Sequence, residues 1–244
     1  MSKVGIISQA RMTSTRLPGK VLLQAAGAPM LQHHIKRLEK AGAPVYLATT
    51  ERVEDDPLEA FARDHQLSFF RGDENDVLSR FYHLATRESL DVIVRVTSDC
   101  PLIDGVLVEE GIQRFLAERD ERMYLSICQQ RTFPIGMDFE IISYQLLAEA
   151  QREAVHAHER EHVMPYFYQG RCDCRLVHIT QESDHSEHRL TLDTPADYDL
   201  LKLLIEQYDA LSLDHAGLSG LLLQHPELRG LNSDVKQKKV PTIT

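Results

Sequence analysis

The sequence predicts an α/β fold built on a doubly wound, mainly parallel sheet. Short β-rich apolar runs alternate with longer runs at helical spacing, the pattern of crossover units. A chain of 244 residues with 43% hydrophobic content can bury a large core. No internal repeat or low-complexity tract points to another architecture.

The elements follow in order. Residues 3–8 (KVGIIS) read as a buried strand, and a polar loop then runs to about Gly19. Met30, Leu31, His34, Ile35 and Leu38 recur at helical spacing and stop before Gly42. Residues 45–49 (VYLAT) form a second strand. Leu58, Phe61, Ala62 and His65 mark a helix, and residues 67–70 a third strand. Val77, Leu78, Phe81, Leu84 and Ala85 give another amphipathic helix before the strand at 91–97 (DVIVRVT). A helix through Val106, Gly111 and Phe115 follows, with limits blurred by its inner glycine. From Met123 the pattern loosens into strand, helix, helix and strand, as in an added substrate-facing portion. Residues 232–244 are polar and basic, and are expected to be loosely held.

Composition narrows the function. The 27 Lys and Arg against 37 Asp and Glu leave a net charge of −10, which argues against coating nucleic acid. No apolar run approaches the ~20 residues of a membrane span, and the apolar start at residues 4–7 is too short for a signal-peptide core. Four cysteines without a framework spacing suggest reduced thiols and a cytoplasmic home.

Against that acidic background, residues 10–20 (ARMTSTRLPGK) stand out directly after the first strand. Arg11, Arg16 and Lys20 alternate with Thr13, Ser14 and Thr15 and a Pro18-Gly19 turn. A strand-to-helix loop with free N–H groups and paired cations suits a polyphosphate. Arginine grips phosphate bidentately, and lysine adds a mobile point charge. The spacing is not that of a Walker A loop, and a solvated basic turn is the plain alternative. Position after the first strand favours phosphate, because such sheets bind ligands beyond the carboxyl ends of their strands.

ARMTSTRLPGKVL resembles the signature loop of CMP-KDO synthetases, and more closely that of the cytidylyltransferases of the spore-coat polysaccharide biosynthesis protein F type. Further family-like segments follow in order: GDENDVLSRF (72–81), RVTSDCPLID (95–104), REHVMPYF (160–167) and RLTLDTPADY (189–198). The resemblance spans about residues 3–210, and the ending NSDVKQKK is also family-like. It implies a nucleotidyltransferase (nucleotide-diphospho-sugar transferase-like) fold in a single domain over residues 1–231. About 1–122 would bind nucleotide, 123–231 would bind acceptor and dimerise, and 232–244 would form a basic tail.

Asp99 and Asp193 each lie just past a strand, the latter after one expected at 190–192. Thr194, Pro195 and Asp197 make a helix start with N-cap, N1 proline and capping box, which leaves Asp193 unexplained. Two carboxylates facing a polyphosphate loop form a hard oxygen site suited to Mg²⁺, although each acid can equally cap a turn or helix. The resemblance assigns both to magnesium. It also implies nucleotide contacts from Arg11, Ser14, Arg16, Lys20 and Ser98, with Lys20, Arg11 and Asp99 catalytic.

Other motifs are weaker. His158 and His162 in HAHEREH share a helix face, but the glutamate is misplaced for H-E-x-x-H, so a polar or substrate-facing helix is preferred to zinc. Cys172 and Cys174 read as core or edge thiols. SDHSEH (183–188) lacks the elbow and oxyanion loop of a hydrolase. Asp138 and Glu140 in PIGMDFEIIS alternate along a strand and so share a face, where they can bond sugar hydroxyls or line an exposed edge. Arg80, Arg95 and His162 complete the substrate candidates, each arginine being equally suited to an ion pair.

The resemblance implies transfer of CMP from CTP to an acidic sugar, nonulosonic or KDO-like, with pyrophosphate release, for surface polysaccharide. It implies Mg²⁺ as cofactor and a homodimer, although no stripe in the chain marks an interface. A glycosyltransferase would want a D-x-D motif where Ser98-Asp99-Cys100 stands. A silent nucleotide-binding subunit would not require both aspartates and the basic loop.

Overall fold

The structure is a computed structural model describing residues 2–237. The first half runs β1 (Val4–Gln9), β2 (Gln24–Ala25), β3 (Ala28–Pro29), α1 (Met30–Leu38), β4 (Val45–Thr50), α2 (Asp56–Asp64), β5 (Ser68–Gly72), α3 (Val77–Arg87), β6 (Val92–Thr97) and α4 (Gly105–Glu118). The second runs β7 (Met123–Ser126), β8 (Phe139–Ser143), α5 (Tyr144–Glu153), α6 (Ala157–His162), α7 (Pro165–Tyr168), β9 (Arg175–His178), α8 (Pro195–Gln207), α9 (His215–Gln224) and α10 (Pro226–Gly230).

Seven strands form the main sheet in the order β5-β4-β1-β6-β8-β7-β9. β1 pairs in parallel with β4 and β6, β4 with β5, and β7 with β9, whereas β8 runs against β6 and β7. This is the mainly parallel, doubly wound sheet that the alternation predicts. Neighbours along each central strand fall into different cores: Ile6, Val94 and Ile141 pack on one face, Ile7, Ile93 and Ile142 on the other. Burial on both faces explains why these strands read as continuous apolar runs.

Most boundaries agree with the periodicity within a residue or two. α1 gives way to a 3₁₀ turn and ends at Gly42 in the left-handed region, φ 69°. The inner glycine of α4 has a packing reason, since a Cβ on Gly111 would lie 2.5 Å from a ring carbon of Phe139. It lets the helix lie close on β8.

Three expectations need correction. Residues 190–192 do not form a strand, although Leu190 and Leu192 are fully buried. The Leu190 N–H bonds Ile135 O at 2.7 Å and the Leu192 N–H bonds Asp99 O at 2.7 Å, so the segment is fixed by loop carbonyls rather than a ladder. Beyond Met123, the strand expected around Asp138 and Glu140 is β8, which begins just after Asp138 and is inserted antiparallel between β6 and β7; that placement and the extra helix α7 after α6 are absent from the looser strand, helix, helix, strand reading. Finally, the start of the basic tail is anchored. Asn232 is buried, donating to Arg189 O at 3.1 Å and Asp197 Oδ1 at 2.9 Å, and Gln237 accepts from Arg189. Lys236 is exposed, and Lys238 and Lys239 lie outside the described residues.

Candidate active site

The basic loop leaves the carboxyl end of β1 and is held at several points. The Met12 N–H donates to Asp55 Oδ1 at 2.6 Å, Thr13 Oγ1 to Glu74 Oε1 at 3.0 Å, and the Gly19 N–H to Met12 O at 2.9 Å. Gly19 sits at φ 68°, a left-handed turn that starts the 3₁₀ turn Lys20–Leu22 and points Lys20 inward.

The Lys20 ammonium lies 2.7 Å from Asp99 Oδ2 and 2.7 Å from Asp193 Oδ1. The other oxygen of Asp193 is shared by Arg16 at 2.9 Å and Arg189 at 3.0 Å. Arg189 also bonds Asp197, the capping residue of α8, at 2.8 Å. Burial pulls the Lys20 pKa down, but the two carboxylates outweigh it and hold it above its ordinary value. Burial likewise opposes the ionised form of Asp99, yet Lys20 carries its pKa down to about 2. Lys20 and Asp99 are therefore both charged at neutral pH.

Arg80 is different. It is 3% exposed on α3, and its side chain makes no hydrogen bond or ion pair among the described residues. Burial and, secondarily, the charge of Arg11 push its pKa down to about 10. A buried cation without a partner is costly, so such a site is suited to an anion supplied from outside.

Glu161 and His162 face the same cleft from α6. Val163 then turns the chain at φ 66° and ψ −61°, with the Met164 N–H bonding His162 O at 2.8 Å. This γ-turn is strained for a β-branched residue and ends α6 abruptly at the cleft. Burial lowers the His162 pKa, against the pull of Glu161.

The structure therefore gathers Arg11, Ser14, Arg16, Lys20, Arg80, Asp99, His162 and Asp193 around one cleft. Four residues predicted as site residues, Ser98, Arg95, Asp138 and Glu140, lie outside it. Ser98 is buried, its hydroxyl 2.6 Å from that of Ser8, so it does not face a nucleotide. Glu140 stands opposite Arg95 in the β6–β8 register and pairs with it at 2.6 Å, while also accepting from Tyr124. Asp138 pairs with Arg131 and accepts the Gly136 N–H at 2.9 Å. Both acids are thus spent on internal partners.

HAHEREH serves the fold around the cleft. Arg160 holds Asp76, the N-cap of α3, and Glu159 is buried against Arg171 at 3.1 Å. His158 reaches Gln169 at 3.3 Å. Among the described residues no cluster of three or more His, Cys, Asp or Glu could hold a metal. Cys172 and Cys174 pack partly buried against the core. Sequence reasoning missed Arg189 as a site residue, although its i, i+4 spacing from Asp193 was a signal; Glu161 was read only as part of a family-like segment with an open binding role.

The cytidylyltransferase family profile matches residues 4–219. The chain belongs to this family. It is 30% identical over 216 residues to the spore coat polysaccharide biosynthesis protein SpsF of Bacillus subtilis, covering 85% of this chain and 88% of that protein. A solved cytidylyltransferase from Leptospira borgpetersenii superposes with a TM-score of 0.88 at 34% identity, covering 98% of this chain and all of that one. A CTP-complexed CMP:2-keto-3-deoxy-manno-octonic acid synthetase shares the fold at TM-score 0.61 and 18% identity, over 84% of this chain and 98% of that one. The chain is thus a CTP-dependent nucleotidyltransferase with the nucleotidyltransferase fold.

Proposed function

We propose that the protein transfers CMP from CTP to the hydroxyl of an acidic sugar, nonulosonic or KDO-like, and releases pyrophosphate for surface glycan synthesis. The observation that carries this reading is the convergence of Lys20 on Asp99 and Asp193, rimmed by Arg11, Arg16 and the unpartnered Arg80. In-line attack at a phosphate needs positioning and charge stabilisation more than covalent catalysis.

In this reading Arg11, Arg16 and Lys20 grip the triphosphate and stabilise the pyrophosphate leaving group. Ser14 and the loop N–H groups add hydrogen bonds, and Arg80 takes an anionic group of the substrates. His162 and Glu161 border the side from which the acceptor arrives.

The donor set fits Mg²⁺. One oxygen from each of Asp99 and Asp193 meets at the Lys20 ammonium, while Asp193 Oδ2 is engaged by Arg16 and Arg189. Asp99 and Asp193 would hold the ion, since magnesium prefers hard carboxylate oxygens. Held by these residues, an Mg²⁺ ion would supply charge neutralisation at the phosphates and would make the attacking hydroxyl more acidic. Lys20 would release both oxygens and turn to the phosphates. The resemblance adds a cytoplasmic homodimer to the proposal.

The test is pyrophosphate release from CTP and Mg²⁺ across a panel of acidic sugars, with neutral sugars and other nucleotides as controls. A CMP-linked acidic sugar is expected. Consumption of a preformed nucleotide sugar, with no pyrophosphate from any acceptor, would replace this reading with glycosyl transfer.

A further inference from the structure

Beneath the cleft a buried polar chain joins three elements of the fold. His34 on α1 is fully buried, with its Nε2 2.8 Å from Ser8 Oγ and its Nδ1 2.8 Å from the carbonyl of Cys100. Ser8 Oγ is in turn 2.6 Å from Ser98 Oγ. A carbonyl only accepts, so Nδ1 carries the proton. In a neutral ring Nε2 must then accept from Ser8, which leaves the Ser8 oxygen to accept from Ser98. The chain runs Ser98 to Ser8 to His34 to Cys100. It starts and ends on the two neighbours of Asp99.

We infer that His34, Ser8 and Ser98 are positioning residues that clamp Asp99 for its part in catalysis. The inference rests on the proposed role of Asp99. The clamp closes a ring through residues 98–100, and the Ser98 N–H adds a bond to Gln9 O at 3.0 Å. Ser8 lies on β1, two residues before Ala10, where the cation loop begins, and the network touches none of the loop cations among the described residues. Its reach extends to the second acid, because Asp99 O accepts from the Leu192 N–H at 2.7 Å and from Thr191 Oγ1 at 3.2 Å. Buried polar networks gain little net stability over an apolar core of the same volume. What this one supplies is a fixed place for the Asp99 carboxylate, which lies 2.7 Å from Lys20 in this structure. Displacement of a reacting group by about 1 Å can cost on the order of 10²-fold in rate.

The test compares wild type with S98A, S8A and the hydroxyl-restoring S98T, each first shown to melt cooperatively. In S98A and S8A, kcat should fall about 10- to 100-fold while the KM for CTP stays within about twofold, since the loop cations are untouched. Mn²⁺ affinity in the presence of CTP, read by electron paramagnetic resonance, should weaken about tenfold, and S98T should restore both. A merely structural role predicts a lower melting temperature with no such split. Folded S98A and S8A with unchanged turnover and Mn²⁺ affinity would overturn the inference. So would an imidazole ¹⁵N spectrum, assigned with H34N, that shows the His34 proton on Nε2. Should wild type prove inactive with every acceptor, the functional reading fails separately, and the Mn²⁺ and ¹⁵N measurements still judge the clamp.

Discussion

Arg80 is buried and Arg95 is half-buried, yet the molecule uses these two arginines in opposite ways. Arg95 lies within β6 and meets Glu140 across the antiparallel β6–β8 pair, where Tyr124 completes the carboxylate's partners. Arg80 lies on α3, at the cleft beyond the carboxyl ends of the parallel strands, with no partner among the described residues. The inserted strand closes its charges upon one another. On the parallel side, Arg80 is left open to a ligand. For these two arginines the role is set by whether the fold supplies a counter-ion within reach, not by residue type.

The sharpest way to break this comparison is to remove the cleft's central cation. Lys20→Ala should fold normally yet lose about 10²-fold or more of kcat, as for one preorganised charge-stabilising group. Near-full turnover would strip Lys20 of its catalytic assignment.

The two arginines should then separate cleanly. Arg80→Ala should weaken nucleotide or acceptor binding about 10- to 100-fold, the range of a hydrogen bond to a charged group, while the melting temperature stays level or rises. Arg95→Ala should cost about 3–5 kcal/mol in urea unfolding, because it strands Glu140 in the interior. Equal melting temperatures for the two variants would erase the contrast.

Gly111→Ala tests packing away from the cleft. Its Cβ would meet Phe139 at 2.5 Å, and overpacking of this kind costs about 1–3 kcal/mol. A kcat unchanged in the folded fraction is expected.

The smallest effect concerns pH. Asp99 and Asp104 have folded pKa values pulled from the ordinary 3.8 down to about 2, by Lys20 and by His215 respectively, against the opposing effect of burial. Their contribution to stability is complete above the unfolded value and is lost as pH falls through about 2. The His215 pKa is raised, chiefly by its bond to Asp104, so its share is complete below the ordinary 6.5 and fades as pH rises through the folded value. Urea midpoints should therefore fall between pH 4 and 2, and His215→Ala should remove the decline on the neutral side. A flat profile in the wild type would contradict both shifts.

Much of this was legible beforehand. The capping box of Thr194 and Asp197, with Pro195 at the first helical position, appears in the structure as written, because a cap depends on residues three apart. The basic loop was visible for the same reason: its cations and turn residues are local. The inserted β8 was harder to see, since β6 and β8 pair across more than 40 positions and no periodicity announces the neighbour. Asp138 and Glu140 looked available because their partners Arg131 and Arg95 are decided by register and loop closure. Ser98 was a nucleotide contact only by resemblance, and in the structure its hydroxyl turns into the core toward Ser8.

By itself, then, the sequence determined the strand and helix alternation, the two-faced core, the family and the cation-rich loop after β1. These follow from propensity, period and short-range bonding. Tertiary structure alone decided that Lys20 would meet Asp193, 173 positions away, that Arg189 would share it, and that Arg80 would stay unpaired. Electrostatic partnership is a matter of a few ångströms in space, and only the folded chain sets those distances.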